Sequence, residues 1–288
     1  MASTYSVAST AAVLNADGTY TVTFTSMVPA NAMGTAVVNM EGRPKAKLLD
    51  SDSSESNIPV KNEQFYFAIT GTTSARREVV ELDKCLDCHG HLSLHGSNRS
   101  NSIDACVTCH NPDATDYGKR TSLAGNTGVD GKYMESIDFK VMIHAIHAAE
   151  MRENAVVVHG YSGNPTYFRT SEVHFPGSLK NCEICHTKHT SSTSLGSYEL
   201  PLSANVRATT GNVMSNETYA YDDLKTTPIA AVCSSCHDSA ESAQHMKLNG
   251  ALFDATLATI YAAGKTETCA ICHGDEKSES VRTAHGIE

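Results

Sequence analysis

Every cysteine of this chain belongs to one pattern, Cys-x-x-Cys-His, and the pattern occurs five times. The copies are Cys85, Cys88 and His89; Cys106, Cys109 and His110; Cys182, Cys185 and His186; Cys233, Cys236 and His237; and Cys269, Cys272 and His273. A Cys-x-x-Cys pair followed at once by an imidazole is the attachment signature of c-type haem. The thiols bond to the two vinyl groups of the porphyrin, and the histidine binds the iron from one face. Zinc is the chemical rival, because such a pair is half of many tetrahedral sites. Zinc asks for no histidine directly after the second cysteine, and pairs combining in twos leave one over. With 14 histidines among 288 residues, chance places one after all five pairs only on the order of once in several million cases. A thioredoxin-like pair does not repeat in this way outside a βαβ setting, and disulfides leave the histidines unexplained. The sequence therefore predicts five covalently held haems.

The second face of each iron needs a ligand from the nine remaining histidines, His91, His95, His144, His147, His159, His174, His189, His245 and His285. His144 and His147 stand at i and i+3 in Met142-Ile143-His144-Ala145-Ile146-His147. On a helix that spacing sends both rings to one general face, a turn apart, so one helix can serve two neighbouring haems. His95 follows the first motif and precedes Gly96, where the chain can pass close to a ring; His91 is its local competitor. His245 sits on a predicted helix after motif four, with Met246 as a substitute that would raise the potential. His285 lies beyond motif five, again before a glycine. His159, His174 and His189 are assigned to the surface or to the surroundings of a site.

The elements that must position these residues begin at a composition shift. Residues 1–80 hold neither cysteine nor histidine and read as a β domain, and 81–288 read as a pentahaem domain. Tyr20, Val22 and Phe24 alternate with threonines as in a half-buried strand, after the turn signal Asn15-Ala16-Asp17-Gly18. Thr35–Met40 and Phe65–Thr70 are further strands. Asp50 to Asn57 is an acidic loop; calcium there is a weak prospect, because the glycine of an EF-hand is missing. In the second part, Ser136 is expected to cap a helix from Ile137 to about Glu150 with Phe139, Ile143 and Ile146 on one face. A second helix spans Asp238 to Leu248, closed by Asn249-Gly250. Gly118–Gly131 and Leu195–Thr227 read as long surface loops. So much irregular chain is tolerable only if the haems are themselves the core.

Formal charge is −10, and ionised haem propionates add to it, which argues against nucleic acid and anionic membranes as partners. No apolar run reaches transmembrane length, and no signal peptide is legible. Because haem is attached outside the cytoplasmic membrane, the chain is expected to be exported and to be a mature or shortened form. A 204-residue domain, 85–288, has a radius of gyration near ~16 Å, which puts five haem centres about 20 Å apart or less. Electrons can hop between such neighbours, and two histidines per iron leave no vacant position for substrate. The expected function is an electron wire with some storage capacity and no dedicated catalytic site. The alternatives are a pentahaem nitrite- or sulfite-type reductase with one open haem, a filament subunit, and a periplasmic shuttle. All five motifs end in histidine rather than in the lysine that often marks nitrite reductases.

The chain resembles the outer-membrane decahaem cytochromes of the OmcA/MtrC type. The likeness is carried by motif one with Leu92-Ser93-Leu94-His95-Gly96, motif two with Asn111, Met142 to His147, Phe175-Pro176-Gly177 ahead of Cys182, and motif five with His285-Gly286. The resemblance implies a small N-terminal β-barrel or β-sandwich domain followed by a mostly irregular, short-helix multihaem domain, one half of a two-half protein or a free-standing five-haem relative. It also implies His95, His144, His147, His245 and His285 as distal ligands. The implied setting is the cell surface or outer membrane, or the extracellular space, with the periplasm as the alternative. Electrons would come from redox partner proteins in a periplasmic or outer-membrane cytochrome complex. They would go to metal oxides, metal chelates or flavins, with metal-reducing activity at the end of the path. The β-domain disulfide of some members is absent, so the likeness does not extend to redox-gated flavin binding.

Overall fold

A computed structural model describes residues 11–120, 128–160, 163–169, 171–187, 224–262, 267–274 and 277–286. In chain order its strands are β1 Val13–Leu14, β2 Tyr20–Thr21, β3 Thr35–Met40, β4 Lys45–Ala46, β5 Ser56–Asn57, β6 Glu63–Ala68, β7 Ser93–Leu94, β8 Arg99–Ser100, β9 Val156–His159, β10 Pro165–Phe168, β11 Leu224–Lys225 and β12 Ala255–Thr256. Its helices are α1 Leu82–His89, α2 Ile103–Cys109, α3 Tyr117–Arg120, α4 Phe139–His147, α5 Pro228–Cys233, α6 Ala240–Leu248, α7 Leu257–Ala262, α8 Ala270–His273 and α9 Val281–His285. The chain divides into two units, residues 1–77 with 91–109, and 78–90 with 110–288.

In the first unit the strands pair in antiparallel twos, and among the described residues they close no barrel. β1 and β2 form a hairpin across the predicted Asn15–Gly18 turn, with Gly18 at φ 83°. The expected long strand from Thr19 to Thr25 is paired only at Tyr20 and Thr21. The longest ladder is β3–β6, Thr35 opposite Ala68 through Met40 opposite Glu63. Its alternation leaves Val38, Met40 and Phe65 exposed while Val37 and Tyr66 are partly covered. Asn62 is buried and bonds to three backbone groups: its Nδ2 donates to the Met40 and Asn98 carbonyls, each at 3.0 Å, and its Oδ1 accepts from the Ser100 N–H. A buried amide satisfied on both ends fixes β3 against the β7–β8 hairpin. In the acidic loop, Asp52 accepts from the Leu48 and Leu49 N–H groups. No cluster of three or more metal-binding side chains forms among the described residues.

The second unit joins short helices to two-stranded ladders, as a chain wrapped around something else would. The Phe139–His147 helix is shorter than expected and starts after Asp138, not Ser136. The Ser136 hydroxyl instead accepts from the Asp138 N–H at 3.3 Å, making a turn before the helix. The buried stripe of α4 is Val141, Ala145 and Ala148 rather than Phe139, Ile143 and Ile146, which stay half-buried. The cause is on α5: Val141 packs against Ala231, and small residues let the two helices approach closely. The predicted helix near Leu248 begins at Ala240, where the Ser239 hydroxyl accepts from the Ser242 N–H.

The expected Gly118–Gly131 surface loop is, where described, folded around a buried cation. Arg120 is 0% exposed. Its Nε donates to both Asp116 oxygens at 2.8 Å, its Nη1 to Asp130 at 2.6 Å, and its Nη2 to the Val157 carbonyl at 2.6 Å. Residues 121–127 and most of 195–227 lie outside the described residues, and so does His189. No described helix is long and apolar enough to cross a membrane.

Candidate haem sites

Each motif lies at a tight helical turn. The His186, His237 and His273 N–H groups donate to the Cys182, Cys233 and Cys269 carbonyls at 2.8–2.9 Å. This i to i−4 bond carries the histidine one turn past the first thiol and onto the same side. Motif one forms the second half of α1, and motif two begins inside α2. None of the ten cysteines is joined to another in a disulfide.

In the second unit, four motif histidines each face a histidine from outside the motifs. The ring centroids are 6.0 Å apart for His89 and His147, 6.0 Å for His186 and His144, 6.1 Å for His237 and His285, and 6.2 Å for His273 and His245. A metal bound between two imidazole nitrogens, at the usual bond length of about 2.0–2.1 Å on each side, separates the centroids by roughly 6 Å. Ordinary aromatic pairs span about 4.5–7 Å, so distance alone does not decide. The second observation is the state of the rings. Nδ1 meets a backbone carbonyl in His110 (Ile137, 2.7 Å) and in His147 (Ile143), His273 (Glu279) and His285 (Val281), each at 2.8 Å. A carbonyl only accepts, so Nδ1 carries the proton and Nε2 keeps the lone pair a metal needs. His144 faces the Lys140 carbonyl without a well-formed hydrogen bond. Burial, with His186 and His147 beside it, lowers its pKa to about 4, so the ring is neutral at pH 7. The donor set therefore fits haem.

The other histidines differ. His95 is exposed, at φ 52° in the β7–β8 turn, and Gly96 makes close contact with the Arg43 guanidinium, which donates to its carbonyl. His91 is exposed. His174 is exposed, 3.3 Å from Glu150. His159 is not a surface residue: it is 2% exposed on β9, with Nδ1 against the Gly163 carbonyl and Nε2 without a partner among the described residues. Met246 packs in a core cluster with Ala230 and Ala251 while His245, beside it, faces His273.

Several contacts hold the sites in order. Residues 79–81 run antiparallel to 185–187 through bonds of Glu81 N–H to the Cys185 carbonyl and Thr187 N–H to the Val79 carbonyl. This brings motif one beside motif three: burial raises the Cys85 pKa first, and the Cys185 thiol raises it further. α4 spans the same two sites, through His147 and His144. Cys236 of motif four lies 4.0 Å from the His144 carbonyl. Burial pushes Cys233 up to about 12, with Cys269 of motif five the next cause. The four sites thus adjoin in the order one, three, four, five. Arg152 locks α4 to motif four by donating to the Ser234 and Ser235 carbonyls, and Asp238 accepts from the Glu153 and Asn154 N–H groups. No sequence pattern announces these clamps, because each joins residues more than eighty positions apart.

A family model described as outer membrane cytochrome MtrC/MtrF-like, domains II/IV, matches residues 77–286, more than half of the chain. Among solved structures, MtrC from Shewanella baltica OS185 is similar at 20% identity and a TM-score of 0.50, over 91% of this chain and 38% of that one. The outer membrane decahaem cytochrome OmcA is similar at 18% identity and a TM-score of 0.55, over 97% of this chain and 38% of that one. The chain thus spans well under half the length of either protein. Comparison with curated proteins finds no match.

Proposed function

Because the chain belongs to the MtrC/MtrF-like outer membrane cytochrome family, we propose that it carries electrons between five c-type haems, one at each Cys-x-x-Cys-His motif. The single observation that carries this reading is the set of four motif histidines facing four others at 6.0–6.2 Å. The haem irons, when bound, supply one-electron Fe3+/Fe2+ couples. The chain does the rest. The cysteine pairs tether the rings, and His89 with His147, His186 with His144, His237 with His285 and His273 with His245 take the two faces of the iron. His95 keeps the role of a distal ligand that the family likeness gives it, with no iron assigned to it. Carbonyl-fixed Nδ1 protons hold His110, His147, His273 and His285 in the binding tautomer, so no proton must leave them when the metal binds. Filling both faces leaves no position for nitrite or sulfite, which disfavours a reductase.

The order of the sites supports a path that runs one, three, four, five rather than in sequence order. Half-buried Phe139, Ile143 and Ile146 on α4, and Phe175 with its ring 5.7 Å from His147, suit side chains that lie along a large apolar cofactor. The N-terminal strands are read as the β-barrel-type domain that precedes a pentahaem domain; similarity over 91% and 97% of the chain supports this. A cell-surface location, cytochrome partners, and metal oxides, chelates or flavins as acceptors follow from the family. Mass spectrometry of the exported protein is expected to find five added haems, and electron paramagnetic resonance only low-spin iron. Fewer haems, or a high-spin iron that binds nitrite, would overturn the proposal.

A further inference from the structure

Glu267 stands two residues before motif five and is 7% exposed. Its oxygens accept from the Thr227 hydroxyl at 2.8 Å, the Ile229 N–H at 2.8 Å and the Ala230 N–H at 2.7 Å. Three donors converging on one side chain describe a carboxylate, and all three are uncharged. The donors lie at the start of α5, whose last residue is Cys233. The surroundings are apolar, with Ala230, Met246, Ala251 and Phe253 in one cluster. A charge there is little screened. Its reach covers two motifs: Glu267 stands two residues before Cys269, and the N–H groups that it accepts from belong to the helix that ends at Cys233.

The other charges at motifs three and four are balanced instead. At motif three Lys84 donates to the His186 carbonyl at 2.6 Å and lies 3.0 Å from Glu81, and Arg282 lies 3.8 Å from Glu183. At motif four Arg152 lies 3.3 Å from Asp238.

We propose that the carboxylate of Glu267 places the haems at motifs four and five at lower reduction potential than the haem at motif three, where Lys84 offsets the local acid. This rests on the haem reading above. Each site gains one electron as Fe3+ becomes Fe2+, and its charge falls by one unit. A fixed anion favours the more positive ferric form and lowers the potential; a fixed cation raises it. Along the order of sites, electrons then run downhill from motifs five and four toward three.

The test is spectroelectrochemical titration of the holo-protein, the electrode supplying the electrons, with haem count and spin state checked first. Glu267→Gln keeps size and a hydrogen-bonding oxygen while removing the charge, and is expected to shift two of the one-electron steps to higher potential. Lys84→Gln is expected to shift one higher step downward and narrow the gap, and it decides the matter where the first variant loses haem. Unchanged potentials, or an equal shift of every step, in a protein with five low-spin haems would overturn this inference and leave the haem reading standing. Missing or high-spin haems in the parent protein would instead refute the haem reading.

Discussion

A histidine can bind iron only when a ring nitrogen has a free lone pair, and here the backbone sets that condition. His147 and His285 each place Nδ1 against the carbonyl four residues earlier on their own helix. The i, i+3 spacing of His144 and His147 was legible in the sequence. Which motif each would face was not, since His89 and His186 are nearly a hundred positions apart. The pairing makes a specific prediction. His144→Ala should leave haem count unchanged and convert the low-spin iron at motif three to high spin, and added imidazole should restore it. His147→Ala should do the same at motif one. If neither variant yields a high-spin signal, these histidines are not ligands.

At the scale of elements, short helices carry the proposed ligands and long-range polar contacts hold those helices in place. α6 could be read from its Asn249-Gly250 stop because that signal is local, while the Ser239 hydroxyl that caps its start, accepting from the Ser242 N–H, is seen only in the fold. The stretch around Arg120 could not, because a charged residue amid Asp, Gly and Lys looks like solvated loop until its carboxylate partners close around it. Arg120→Ala leaves Asp116 and Asp130 facing each other without the cation. Breaking a buried pair from one side costs roughly 3–5 kcal/mol. Chemical denaturation of the holo-protein is expected to show a loss of that order. A loss below about 1 kcal/mol would mean that the cluster is solvated.

The whole molecule should be sensitive to acid. Burial acts to raise Asp130, but the Arg120 hydrogen bond and charge and the Lys132 N–H bring it below the ordinary carboxylate range. Burial likewise opposes the lowered pKa of Asp238, where the Glu153 and Asn154 N–H groups and Arg152 prevail. An acid whose pKa is depressed on folding contributes fully above its unfolded value, about 4, and loses that contribution as pH falls through the folded one. Asp130 and Asp238 are expected to add a loss of thermal stability below about pH 4, beyond the loss that begins near pH 6.5 where the unfolded chain protonates histidines such as His144, whose pKa burial lowers. Asp130→Asn should flatten the acid limb, and an acid limb as steep as the parent's would remove Asp130 from the account.

The sequence by itself determined the candidate chemistry. The five Cys-x-x-Cys-His motifs and the candidate second ligands follow from local spacing and composition, whereas the strand-rich unit also takes in residues 91–109, beyond the boundary that composition suggests. Only the tertiary structure decided the pairing of the histidines, the adjacency of motifs one, three, four and five, and the buried charges at Arg120 and Glu267. The physical reason is range. A covalent attachment motif is complete within five residues, whereas a site with two axial ligands and the electrostatic field around it are assembled from segments far apart in the chain.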